Sequence, residues 1–196
     1  MLKSNRELFE SFNVLDTTWK KWSREFLPPD PEAGRRRGKT RMYTAEQAFL
    51  VWAGGRMLNE KNMTYEEAKE AVNVLEKFMI EQKYIPLKDT GPHTIESVGP
   101  YDTAVTWIFR IDRTANGNYH SFRGYIGSEK KEWIGSDGEK RPYDVEKYFD
   151  IKLYDGKIKE AVICTVSITV SRWFAEFGYL SGFPIYGNFT KTVKPG

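Results

Sequence analysis

Between residues 17 and 47 the chain reads TTWKKWSREFLPPDPEAGRRRGKTRMYTAEQ: two tryptophans and a phenylalanine among lysines and arginines, a proline-rich break, then five cations in seven residues. Phosphate is the chemistry this pattern suits. Clustered guanidinium and ammonium groups neutralise a polyanion, and an arginine on a rigid helix can read a guanine edge with two parallel hydrogen bonds. At about 100° per residue, Leu15, Trp19, Trp22 and Phe26 fall within an arc of roughly 60°, while Thr17, Lys20, Lys21 and Arg24 lie on the opposite side. Burying the aromatic side would fix the helix and leave its basic side to enter a groove about 12 Å wide. A solvated basic face on an ordinary amphipathic helix is the other reading of the same spacing. Beyond the prolines, Arg35, Arg36, Arg37, Lys39 and Arg41 crowd a segment punctuated by Gly34 and Gly38. Such mutually repelling charges make either a flexible surface loop or a wing that meets phosphates.

The elements that must position these residues begin with recurring helix-start signals. Ser4 and Glu7, Thr44 and Gln47, and Thr64 and Glu67 have the spacing of capping boxes. A fourth helix is expected from Asp16 to Phe26, started by Asp16 and stopped by Pro28 and Pro29. With a helix over about 5–12 and the short link NVLD, the pair has helix-turn-helix spacing. The stretch KYIPLKDTGPHTIESVGP, with three prolines and no periodicity, marks a boundary between a helical domain over 1–84 and a strand-rich domain over 98–196. In the second domain Val105, Trp107, Phe109 and Ile111 alternate on one face, and Asn116-Gly117 predicts the turn of a hairpin. Asp155-Gly156 predicts a second hairpin, and SITVSRWFAEFGYLSG reads either as strand continuation or as a short helix closed by Gly178, the helix being favoured. The fold class expected is α+β: a mainly helical N-terminal domain followed by an antiparallel sheet with a short helix.

TWKKWSREFLPP, then RMYTAEQAFLVW, then NMTYEEAKEAVNVLEKF resembles, in order and spacing, the DNA-binding domain of the MerR family of winged-helix regulators. That family shows a Thr-x-Arg-x-aromatic recognition helix, a Leu-Pro-Pro exit and a basic wing ending in Arg-x-Tyr-Ser/Thr. The resemblance spans about residues 3 to 80. It implies a winged helix-turn-helix in which Thr18, Lys20, Lys21 and Arg24 lie in or beside the major groove, and Thr17, on the same side of the helix, is taken as a DNA-binding residue with them. It further implies that Arg41 meets phosphate and that Tyr43 steadies the wing or touches the DNA backbone. Family members read inverted repeats as homodimers. The chain departs from the pattern in its Trp22-Ser23 pair, and in the proline-broken sequence after Lys83 where the family carries a dimerising coiled coil.

The remaining composition narrows the function. A net charge of +3 is modest, so only its clustering argues for a polyanion. One cysteine, Cys164, excludes a disulfide framework or a multi-thiolate metal site. His93 and His120 are isolated, and Asp112, Asp144, Asp150 and Glu160 are scattered, so neither a catalytic nor a metal constellation is expected, nor any cofactor. The N-terminus lacks a signal-peptide core and no apolar run could span a bilayer, which leads to the expectation of a cytoplasmic protein that makes no membrane contact. The reading is therefore a bacterial or phage-type transcriptional regulator, not an enzyme. It binds double-stranded DNA as a homodimer, and its C-terminal domain serves a small-molecule or protein effector, or assembly. The alternative is a winged-helix module that binds protein through Trp19, Trp22 and the C-terminal aromatics.

Overall fold

The computed structural model describes residues 1–30, 40–81, 92–94, 106–153, 160–183 and 186–188. Arg35, Arg36, Arg37, Lys39, Val105 and the Asp155-Gly156 turn lie outside them. The chain is mixed helix and sheet and divides into two units, 1–98 with 171–188, and 99–170 with 189–196.

In the first unit all three anticipated capping boxes form. They open α1 (Asn5–Ser11), α3 (Ala45–Lys61) and α4 (Tyr65–Glu81), with the Glu7, Gln47 and Glu67 side chains accepting from the N-cap amides at 2.8, 3.2 and 2.8 Å. The Ser4 amide and hydroxyl hold the Glu7 carboxyl below the usual glutamate range. The helix α2 runs over Asp16–Phe26 as expected, but Leu15 takes the N-cap position without a side-chain cap bond and stands 73% exposed. Its expected place on the aromatic side is lost because it precedes the helix. Asn13, in the left-handed region at φ 51°, turns the chain between α1 and α2. The short strands β1 (Lys3–Ser4) and β2 (Met42–Tyr43) pair antiparallel, and β3 (Pro92–Thr94) pairs parallel with β8 (Tyr186–Asn188).

The second unit is an antiparallel four-stranded sheet, β6-β5-β4-β7, built from β4 (Thr106–Thr114), β5 (Gly117–Ile134), β6 (Lys140–Lys152) and β7 (Cys164–Thr169). The first hairpin forms with Thr114 opposite Gly117, so Ala115 and Asn116 make the turn and Gly117, at φ 150°, opens the next strand. Trp107, Phe109 and Ile111 are buried together, and His120 stacks on Phe109 at 5.8 Å, a packing role. The expected second hairpin is not made: β6 pairs with β5 and β7 with β4, on opposite sides of the sheet. The hairpin partner of β6 is instead reached through Gly135–Glu139, where Gly138 has φ 79°.

The last helix, α5 (Val170–Ser181), passes through Gly178 and ends at Gly182, whose φ of 62° supplies the left-handed stop. It differs from expectation in where it packs. Phe174 stacks on Phe49 at 4.3 Å, Phe177 on Phe12 at 5.6 Å, and Trp173 meets Trp52 edge-on at 5.7 Å, so α5 completes the helical core. Arg56 lies 4.8 and 5.2 Å from the Trp52 and Trp173 rings and bonds Glu60 and Glu176. Burial alone would lower its pKa, and the two carboxylates more than reverse that. Lys3 donates to the Ser181 carbonyl at 2.5 Å, placing a cation at the negative end of α5. Among the described residues no helix is long and apolar enough to cross a membrane.

A fragment ending at residue 84 lacks α5 and exposes Phe12, Phe49 and Trp52. It should show helical circular dichroism but a broad melt, whereas the full chain melts cooperatively; a sharp melt of the fragment would show that α5 is dispensable. In the sheet, Arg123 grips the Asp150 carboxyl at 2.7 and 3.1 Å and holds its pKa below the usual aspartate range. A folded-state pKa below the unfolded one stabilises above the unfolded value, and that contribution is lost as pH falls through the folded value. Asp150→Asn should therefore lower the melting temperature at about pH 7, and the difference from the wild type should shrink as pH falls through the folded-state value.

Candidate nucleic-acid interface

The aromatic side of α2 sets everything on its polar side. Trp19 and Trp22 are 0 and 4% exposed, and Phe26 is also buried. Trp19 stacks on Phe12 at 5.4 Å and meets Tyr43 edge-on at 5.8 Å. Trp22 and Phe26 press onto α3 at Gly55 and Gly54, where a Cβ would fall inside the van der Waals envelope of each ring. Two interior glycines cost a helix about 2 kcal/mol, less than the roughly 3–5 kcal/mol at stake in burying a single large aromatic ring, so close approach wins.

Beyond this packing lies an open cleft of about 1060 Å³, walled by α1, α2, the chain leaving α2 and β2. Thr17, Lys20, Arg24, Arg41 and Tyr43, all singled out by the sequence, line it. Thr18 and Lys21 do not; Lys21 instead lies over the Tyr65 ring at 4.4 Å. Tyr43 is 1% exposed, with its hydroxyl 2.6 Å from Asn5 Oδ1 and 2.9 Å from Ser23 Oγ. It ties β2 to α1 and α2, and so positions the cleft walls from within. Arg41 donates to the Pro28 carbonyl at 3.2 Å and lies over the Tyr43 ring at 5.4 Å, bracing the exit from α2.

The charges in the cleft differ in how they are held. Lys20 pairs with Asp16 at 2.7 Å and Arg6 with Glu10 at 2.8 Å, each one turn apart on an exposed helix face. Exposed pairs of this kind add little to stability. Arg24 is exposed and has no partner among the described residues. Arg6, Asn5, Ser23 and Asp16 escaped the sequence reading. Capping signals placed α1, but nothing local in sequence signalled the β1–β2 pairing that brings its first turn beside α2. Among the described residues no group of three or more His, Cys, Asp or Glu is placed to hold a metal ion. The cleft can therefore present cations and hydroxyl or amide groups to an anion, within a frame fixed by buried rings.

No protein family, curated protein or solved structure matches this chain.

Replacing Gly55 with Ala should force Trp22 off its seat and lower stability by roughly 1–3 kcal/mol, read from denaturant unfolding. Tyr43→Phe deletes only the hydroxyl and should cost about 1 kcal/mol, since Asn5 and Ser23 each lose a partner.

Proposed function

We propose that the chain is a sequence-specific binder of double-stranded DNA, a cytoplasmic transcriptional regulator of MerR-like type from a bacterium or phage. The observation that carries this reading is the convergence of Thr17, Lys20, Arg24 and Arg41 on one cleft while the opposite side of α2 is buried against Phe12, Gly54 and Gly55. On this reading α1 and α2 are the helix-turn-helix, β1 and β2 belong to the wing, and α2 enters the major groove. Arg24 approaches base edges, and Arg35, Arg36, Arg37, Lys39 and Arg41 meet phosphates. Thr18 and Lys21 flank the groove.

A single short helix covers too few base pairs for tight specific binding, so the protein acts as a homodimer. Ala68, Val72, Leu75 and Met79 of α4 are buried within one chain and are not free to form a helical seam. Assembly falls to the sheet unit, where Trp133, Ile134 and Tyr143 remain exposed. That unit also carries the response to an effector. The alternative, a protein-binding module using Trp19, Trp22 and the C-terminal aromatics, loses the first two to the core and keeps only the exposed C-terminal rings such as Trp133 and Tyr143.

Fluorescence anisotropy on duplexes selected from a random library, and on unselected duplexes, separates reading from positioning. Arg24→Ala should cost about 1–3 kcal/mol on the selected duplex and much less on unselected ones. The triple variant Arg35/Arg36/Arg37→Ala should weaken all duplexes alike, with the slope of log affinity against log salt shallower by about 0.9 per lost contact. Light scattering should give a dimeric mass with and without DNA. No salt-dependent duplex binding by the wild type would refute the proposal.

A further inference from the structure

Of the groups lining the cleft, the carboxylate of Asp16 fits phosphate binding worst, and it sits in the first turn of the helix that would enter the groove. Aspartate at the start of a helix ordinarily accepts from free backbone amides, but α2 has no side-chain cap bond. Its Oδ2 is instead held by Lys20 at 2.7 Å, and Oδ1 has no partner among the described residues. On the helix, Asp16 lies about 40° from Lys20 and about 80° from Arg24, so all three share the face turned to the cleft. The cleft's other carboxylate, Asp30, stands beyond the helix on the proline-rich exit. A carboxylate on this face repels the phosphate backbone, and among the groups of the major groove it is satisfied by an exocyclic amino donor, the N4 amine of cytosine above all. Lys20 supplies the neutralising charge that lets an acid approach DNA.

We propose that Asp16 is a specificity-determining residue, which accepts a hydrogen bond from a cytosine amino group while Lys20 holds its other oxygen. This rests on the DNA-binding reading and adds to it a base and a residue. It also assigns to Lys20 a supporting role beyond phosphate contact.

The test is binding-site selection from a fully randomised duplex library with the full-length wild type and Asp16→Asn, followed by anisotropy on the selected duplex and on variants with each cytosine replaced. The amide retains the size of the carboxylate but presents a donor as well as an acceptor. The wild type should discriminate against loss of one cytosine by about 5- to 150-fold, the range of a good base contact. Asp16→Asn should lose that preference at the one position only, keep the rest of the selected sequence, and bind unselected duplexes as tightly as the wild type or more so. Melting curves of both proteins should coincide. If Asp16→Asn selects the same sequence and changes all duplexes by one common factor, Asp16 acts through net charge alone and the inference is overturned while DNA binding stands. An unchanged preference accompanied by a lowered melting temperature would make the residue structural and would overturn the inference in the same way. Failure of the wild type to bind any duplex would overturn both readings together.

Discussion

The polar side of α2 is only as well placed as its aromatic side is well buried. Trp22 and Phe26 occupy the space where side chains of α3 would otherwise stand, and Gly54 and Gly55 are the residues that make this possible. Close approach of the two backbones fixes α2 along its length, because the contacts are one helical turn apart and a rotation that relieved one would drive the other ring into α3. Trp19 completes the arrangement in a stack with Phe12 and Tyr43. Its indole Nε1–H is buried with no acceptor among the described residues, a cost of about 1–3 kcal/mol. Removing a fully buried large ring costs roughly 3–5 kcal/mol, so the apolar gain outweighs the orphaned donor. The tryptophans therefore serve to hold the helix and leave the cations on its polar side, thereby separating the two kinds of residue that the sequence mixes.

The same core explains why the helical unit is discontinuous. On α3, Phe49, Trp52 and Arg56 present a face that Phe12 meets at Trp52 and that continues beyond it. Covering them falls to α5, which returns after the sheet strands with Trp173, Phe174 and Phe177. Arg56 shows how this junction is made specific as well as apolar. Its guanidinium lies near two indole faces and bonds a carboxylate on its own helix and one on α5, an arrangement that a lysine could not satisfy with its single compact charge.

How much of this was legible follows from the range of the forces involved. Capping boxes, the proline stop after Phe26 and the Ala115-Asn116 hairpin are encoded within a few residues, and all were visible or nearly so. The segregation of Trp19, Trp22 and Phe26 from Lys20 and Arg24 was equally legible, because helical periodicity alone produces it. The pairing of β7 with β4 was not, since strand runs adjacent in sequence suggested a hairpin and only the whole sheet decides that order. Gly182, rather than Gly178, stops α5 because Gly178 lies within a helix that tertiary contacts extend past it. In the cleft, the bond from Tyr43 to Asn5 and Ser23 joins residues up to 38 apart in sequence. No local pattern announces such a bond.

A small net charge is compatible with a polyanion partner when cations are graded by how they are held. On α2, Lys20 is neutralised locally by Asp16, Lys21 rests on the Tyr65 ring, and Arg24 alone projects from an exposed position without a partner among the described residues. A helix whose cations were all free would attract any phosphate backbone with equal force and discriminate little among sequences. Pairing some of them lowers that uniform attraction and leaves geometry to choose. On the proposed DNA-binding reading, aromatic packing thus fixes where the polar face of α2 stands, and charge pairing limits how strongly that face would bind where the fit is poor.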